Sequence, residues 1–279
     1  MKMENRMRRE QILIVGVLVI FLAAFIPGCI ETSESKGMVK EEFNGEYPTN
    51  ENTILTVENI NGNIDITGWS GDKITLDAEE KVDKKYKSQL DDVEVNVTED
   101  VNSVIIKAIY NTEKRDVTVT MTIKVPHAVT VEKVKDVNGN VGITDVKGDC
   151  EVSVTNGEIN INDVDGYVTA QMTNGDIDIK DTTGISEVSN TNGDIKAEIY
   201  NLRANVEVTN TNGDVTIYIL PSLDANITLE TENGKVKVND LTLEYTVNED
   251  KHVIGSLGLG IYKVNLVTTN GNVNLNKLS

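Results

Sequence analysis

Carboxylates recur at fixed intervals in this chain and are its most conspicuous chemistry-bearing residues. An Asn-Gly pair is followed directly by Glu158, Asp176, Asp194 and Asp214 in four successive places, and Asp145, Asp163 and Asp181 stand seven residues past the Asn of three such pairs. Carboxylates repeated in this way stack into columns if the segments carrying them stack. Neighbours one strand spacing apart, about 4.8 Å, repel by roughly 1 kcal/mol in water. Solvent and salt absorb that cost, or a hard cation offsets it. Calcium is the natural ion, since it accepts carboxylate and backbone oxygens and extracellular modules bind it weakly. The GGxGxDxUx nonapeptide of calcium-binding β-rolls is absent from the sequence. The columns therefore read first as solvated surface and second as weak Ca2+ sites.

Other chemistry finds little to work with. His127 and His252 are the two histidines, and neither sits in a GxSxG, Cys-His or HExxH context; no CxxC and no GxxxxGK occurs. A carbohydrate-active lyase or hydrolase, the reaction class most at home on stacked β-coils, needs paired carboxylates in a cleft lined by aromatics. Beyond the amino-terminal leader the aromatics are eight Tyr, one Trp and Phe43, without a cluster. Such an enzyme stays an alternative, and no catalytic residue is assigned. Asn96-Val97-Thr98 and Asn226-Ile227-Thr228 match the glycosylation acceptor pattern.

The elements that position the carboxylates follow from the repeat. Asn-Gly appears at Asn138, Asn156, Asn174, Asn192, Asn212 and Asn233 in steps of 18, 18, 18, 20 and 21 residues, with outliers at Asn61 and Asn270. Asn-Gly between alternating runs is also a hairpin signal. A meander of hairpins, however, has no reason to repeat the same residue types at the same offset. Aligned on the Asn, the fourth and sixth positions are Val141 and Ile143, then Ile159 and Ile161, then Ile177 and Ile179, and a Gly falls at Gly148, Gly166 and Gly184. A constant step with like residues stacked on like marks a solenoid. The expected fold is an all-β, right-handed parallel β-solenoid, with two short strands per coil, one corner at Asn-Gly and another near Asp-x-x-Gly. Its core is a column of Val and Ile, and stacked Asn amides can hydrogen-bond along the axis.

The amino terminus reads as an address. Lys2, Arg6, Arg8 and Arg9 precede an apolar run from Ile12 to Ile26 and then Pro27-Gly28-Cys29, the layout of a secretory signal. Gly28-Cys29 resembles the lipobox of prokaryotic lipoproteins, in which the Cys becomes the lipidated first residue; Pro27 departs from that pattern. A leader retained as a short anchoring helix is the alternative, and either way the domain faces outward. Without residues 1–28 the chain holds 22 Lys plus Arg against 43 Asp plus Glu, near −21, which argues against nucleic acid and against docking on an anionic bilayer surface. Cys150 then has no intrachain partner and reads as a buried small hydrophobe.

The expected organisation is a leader over 1–28, a flexible tether over 29–50, an amino-terminal coil with antiparallel strands and a short helix over 51–135, and the repeat solenoid over 136–279, with an insertion at about 241–260. Strand patterns at Val93–Val97, Val104–Tyr110 and Val117–Val125 are expected to pair as antiparallel hairpins capping the open end, and Asp83–Leu90 to form the helix.

From Ile54 onward the opening TVENINGNIDITGW, the serial NGDIxI coils and the Gly-rich segment before the last TNGNV resemble the DUF4097 group of adhesin-like proteins. That resemblance implies a surface-exposed β-solenoid and no catalytic motif. The expected function is a non-catalytic, membrane-anchored binding or structural module on the outer face of the cytoplasmic membrane or the cell surface, engaging a glycan or surface protein. An envelope-associated scaffold or sensor subunit is the alternative alongside the enzyme.

Overall fold

The computed structural model describes residues 33–35 and 37–279, so the leader and Cys29 lie outside the described residues. Regular structure among the described residues is strand throughout, except for one 3-10 helix at Lys84–Asp92. The alternation forces this result. In the Asn156 coil, Cys150–Asn156 leads into the corner and Ile159–Asn174 leaves it, with inward and outward residues alternating along both. The inward residues meet their equivalents in parallel register: Val141 with Ile159, Ile159 with Ile177, Ile177 with Ile195, and Ile195 with Val215. Val152, Ala170, Val188 and Val208 form a second such line. All of these are buried. The chain is a β-solenoid with an apolar axis, as the repeat predicts.

Each corner is built by two residues with separate roles. Glycine supplies the left-handed backbone, at φ 146° for Gly157 and 130° for Gly175, and also the clearance, because a Cβ on Gly175 would run into the Gly157 carbonyl. Asparagine supplies the ladder. Asn156 Nδ2 donates to Asn138 Oδ1, Asn174 to Asn156 and Asn192 to Asn174, each at 2.8 Å, and the chain of amides continues through Asn212, Asn270 and Asn233 at 2.9 Å. At the opposite corner the left-handed residues are Asp145, Asp163 and Asp181, at φ 59°, 56° and 51°. Asp and Asn are the non-glycine residues that tolerate this region. One of the two acidic columns is thus a backbone requirement.

The order of coils along the axis departs from the order in sequence at both ends. Ile54–Glu58 pairs in parallel with both Ser103–Tyr110 and Thr130–Asn138, and Ile64–Trp69 with both Thr118–Pro126 and Val141–Lys147. The first coil therefore sits between two later ones in the stack. At the far end Tyr262–Asn270 lies between Val206–Asn212 and Ala225–Asn233, and Val273–Lys277 between Val215–Ile219 and Val236–Asn239. The last coil to be made is second from the end in space.

Two expectations are corrected here, and the insertion acquires a role. Of the three amino-terminal runs, only Val93–Asp100 and Ser103–Tyr110 form a hairpin; Thr118–Pro126 joins the solenoid beside the first coil and pairs antiparallel with Lys73–Asp83 instead. The expected tether does not hold over 38–48, because Met38–Pro48 is a strand along Lys73–Asp83, with Val39 and Tyr47 buried. Its polar alternation suits an edge strand. The insertion is a cap: His252–Leu257 runs antiparallel on Ala225–Asn233, and Glu244–Asn248 covers it in turn. Both solenoid ends thus finish in antiparallel strands, which prevents open-ended stacking. The helix falls close to its expected span, and the Asp83 carboxylate accepts from the Lys85 amide at 3.0 Å as its N-cap.

Candidate binding face

The strands that leave the Asn-Gly corners stack into one sheet, and their outward residues form two columns. In axial order these are Asp65 and Thr67, Gly142 and Thr144, Asn160 and Asn162, Asp178 and Lys180, Lys196 and Glu198, Thr216 and Tyr218, Asn274 and Asn276, and Lys237 and Asn239. Three acids face three bases on this surface, while the whole chain carries −19. The remainder is mostly amide and hydroxyl.

A shallow cleft of about 230 Å³ lies on this face, lined by Gly142, Thr144, Asn160, Asn162, Asp178 and Lys180. The dent exists because Gly142 has no side chain where the other strands carry one. Among the described residues the side chains of Thr144, Asn160, Asn162 and Lys180 make no hydrogen bond, and the buried Oδ1 of Asp178 has no partner. Further along the axis the amides are already engaged, Asn239 Nδ2 to Asn276 Oδ1 at 2.8 Å and Asn274 Nδ2 to Thr216 Oγ1 at 3.4 Å. Lys196 Nζ lies 5.8 Å from the Tyr218 ring. The unengaged amides of the face, Asn160 and Asn162, thus lie in the cleft.

The acidic column after Asn-Gly lies along the corner edge beside this face. One oxygen of each Asp is engaged: Asp176 Oδ1 accepts the Asp194 amide at 2.8 Å, Asp194 Oδ1 the Asp214 amide at 2.8 Å, and Asp214 Oδ1 the Asn272 amide at 2.7 Å. These three carboxylates therefore act as rungs between coils. Glu158 joins the series through its backbone, its amide donating to Asn140 Oδ1 at 3.0 Å. In the other column Asp145 Oδ2 lies 3.4 Å from His127 Nε2, and Asp181 Oδ1 accepts from the Tyr200 hydroxyl at 3.2 Å. No group of three or more His, Cys, Asp or Glu among the described residues is arranged to hold a metal ion.

Of the other predicted positions, Asn96 stands on the edge strand Val93–Asp100, where its Oδ1 accepts from the Thr98 hydroxyl at 3.3 Å, and Asn226 is exposed on Ala225–Asn233. Cys150 is buried in the core. Burial, with Glu151 and Asp149 adding to it, pushes its thiol up to about 12, so a thiolate nucleophile is not available there at neutral pH.

Two buried carboxyls, Asp136 and Glu80, do not stand out in the sequence. Burial pushes each up to about 7. Asp136 was legible in principle: it stands two residues before the corner Asn, where other coils carry the inward-facing Val154, Met172, Asn190 and Asn210.

The family model described as Toastrack DUF4097 matches residues 128–276, more than half of the chain. The chain belongs to the DUF4097 family. The matched stretch holds the Asn138 to Asn270 corners and most of the face, while the amino-terminal cap lies before it. Solved structures similar to this DUF4097 chain include a putative cell adhesion protein from Clostridium sporogenes, at 14% identity over 86% of this chain and 100% of that one, with a TM-score of 0.42. A putative adhesin from Bacteroides fragilis has 10% identity over 85% and 97%, at 0.37. A putative lipid binding protein from Parabacteroides distasonis has 13% identity over 85% and 97%, at 0.35. No curated protein sequence matches the chain.

Proposed function

We propose that this protein is a non-catalytic, membrane-anchored binding module that works outside the cytoplasm, and that the sheet leaving the Asn-Gly corners is its working face. Its ligand is a neutral polyhydroxylated chain, a surface glycan, lying along the solenoid axis. The observation that carries this reading is the charge-balanced face with unengaged amides and hydroxyls in its cleft, on a chain whose overall charge is −19. Planar amides and carboxylates hydrogen-bond hydroxyl groups without needing a counter-charge. A rigid sheet also holds them in place before binding, which limits the ordering cost.

A glycan array probed with the soluble 37–279 fragment tests this. Retention of neutral glycans, weakened at least tenfold by Asn160→Ala with Asn162→Ala, is the expected result. Equal binding by wild type and double variant would dismiss the face, and release of reducing ends would move the protein to the enzyme class. Anchoring rests on Gly28-Cys29 at the end of the apolar run. Cys29→Ser is expected to release or mislocalise the protein, whereas an intact leader with an unmodified thiol in mass spectra would leave a helix anchor instead. The acidic columns stay candidate weak Ca2+ sites, and melting with and without millimolar Ca2+ tests them.

A further inference from the structure

In four coils the inward residue two positions before the corner Asn donates to the Gly carbonyl of the neighbouring coil. Asn190 Nδ2 donates to Gly175 O and Asn210 Nδ2 to Gly193 O, both at 2.7 Å. Thr268 Oγ1 donates to Gly213 O at 2.9 Å and Thr231 Oγ1 to Gly271 O at 2.8 Å. In the Asn138 coil the same position is Asp136, and the carbonyl it would meet is Gly62 O of the first coil. A Cβ built on Gly139 would touch both Gly62 O and Asp136 Oδ2, so these two oxygens flank one spot. Asp136 is 3% exposed, its Oδ1 accepts the Val137 amide at 2.7 Å, and its buried Oδ2 has no partner. Asn59 is adjacent in the register of the first coil; its Nδ2 already donates to Gly62 O at 2.9 Å, and its buried Oδ1 is also an acceptor without a donor. Asp136 Oδ2 and Gly62 O are thus two acceptors beside one spot, and the only side-chain donor to Gly62 O among the described residues is Asn59 Nδ2, which it shares with Val119 O.

We infer that Asp136 carries a proton in the folded protein and donates it through Oδ2 to Gly62 O, latching the first coil to the repeat, so that the amino-terminal end of the solenoid loosens as pH rises. An ionised carboxylate there would set a charge beside Gly62 O with no donor on Oδ2, an arrangement that costs more the drier the site. Of the elements packed around Asp136, the strand Ser103–Tyr110 contributes Tyr110, with Arg115 stacked 4.9 Å above its ring, and Lys73–Asp83 contributes Glu80 beyond it. The strand Ile54–Glu58 and the residue after it contribute Glu58, on the outer face, and Asn59; the strand Cys150–Asn156 places the apolar Val154 opposite. Lys133 and Lys135 of its own strand point outward. Arg115 lies over Tyr110 and donates to the Thr112 and Lys114 carbonyls, and Lys133 pairs with Glu151, so neither is engaged with Asp136. Burial raises its carboxyl to about 7, in keeping with the geometry.

The first coil is inserted between two later ones, and its amino-terminal side leads to the edge strand Met38–Pro48. Loss of this proton therefore acts at the amino-terminal end of the solenoid. Because the folded state holds the proton and the opened state releases it, opening should become tenfold easier per pH unit between the ordinary carboxyl value, about 4, and about 7. Hydrogen exchange of the Asn59–Ile66 amides, corrected for intrinsic rates, reads this in wild type and in Asp136→Asn, which keeps a donor as Asn190 and Asn210 do. A pH-dependent opening in wild type that Asp136→Asn reduces by one power of ten per unit is expected; the residual dependence should come from Glu80 and vanish with Glu80→Gln. An identical slope in wild type and Asp136→Asn overturns the latch. So does a carbon NMR titration of the wild-type Asp136 carboxyl with a midpoint below 5, an outcome that does not depend on the variant folding.

Discussion

Replacing Ile177 with Asp puts the solenoid core under the most direct load. Ile177 is 1% exposed and lies in parallel register between Ile159 and Ile195, so no side of it is open to relaxation. Truncating a buried Ile costs about 2–5 kcal/mol through lost transfer energy and the cavity left behind. A carboxylate in its place adds several kcal/mol of desolvation, or takes up a proton at about 1.4 kcal/mol per pKa unit. The sum, on the order of 5 kcal/mol or more, is comparable with the 5–15 kcal/mol that holds a typical domain together. Thr173→Asp, four residues earlier on an exposed outward position, should stay within about 0.5 kcal/mol. Urea denaturation followed by circular dichroism compares the two variants with wild type. Small and equal shifts would mean that Ile177 does not face a packed axis, and the inward assignment of every aligned position would fall with it.

Asn174→Ala breaks one donated and one accepted 2.8 Å amide bond in the corner ladder. At this exposed site it should cost about 1 kcal/mol, and an unchanged denaturation midpoint would show that the ladder carries no stability. Glu80 is raised to about 7 by burial, then by Glu41 and Glu94. Its folded value exceeds its unfolded one, so its contribution is complete below about pH 4 and fades as pH climbs towards 7. Glu80→Gln should flatten the stability profile in that window, and a profile as steep as wild type would exclude the assignment. Cys150 should resist alkylation in the folded protein at pH 8 and react only on unfolding, because it is 3% exposed with its thiol near 12; rapid labelling of folded protein would refute its burial.

The regular coils were legible because one residue step sets everything else. Once Ile159 and Ile177 are aligned, alternation assigns Asn160 and Asp178 to the outer face, and the face can be read from sequence alone. The interleaving at the ends was not legible, because TENGKVKV and TTNGNVNL offer the same corner and the same alternation to the Asn212 coil. Which of them stacks there depends on long-range closure by the antiparallel cap. Met38–Pro48 was hidden for another reason: its polar alternation resembles solvated chain until Lys73–Asp83 supplies its hydrogen-bonding edge. In the corner columns the sequence showed where carboxylates repeat but not that Asp176 and Asp194 bond the amides of the next coil. Asp136 stayed unremarked because it interrupts an inward column of neutral residues instead of repeating.

The make-up of the proposed binding face depends on the axial order of the coils, and one cross-linking measurement decides that order. Thr209 pairs with Val267, and Val267 with Glu230, so Thr209 and Glu230 stand two strand spacings apart, roughly 9.6 Å. A disulfide spans Cα separations of about 4.4–6.8 Å. Oxidised Thr209→Cys/Val267→Cys protein should therefore cross-link fully within the monomer, as judged by peptide mass spectrometry, and Thr209→Cys/Glu230→Cys should stay reduced. The reverse result would place the Asn233 coil directly on the Asn212 coil, in sequence order, and would contradict the stacking on which the face is built.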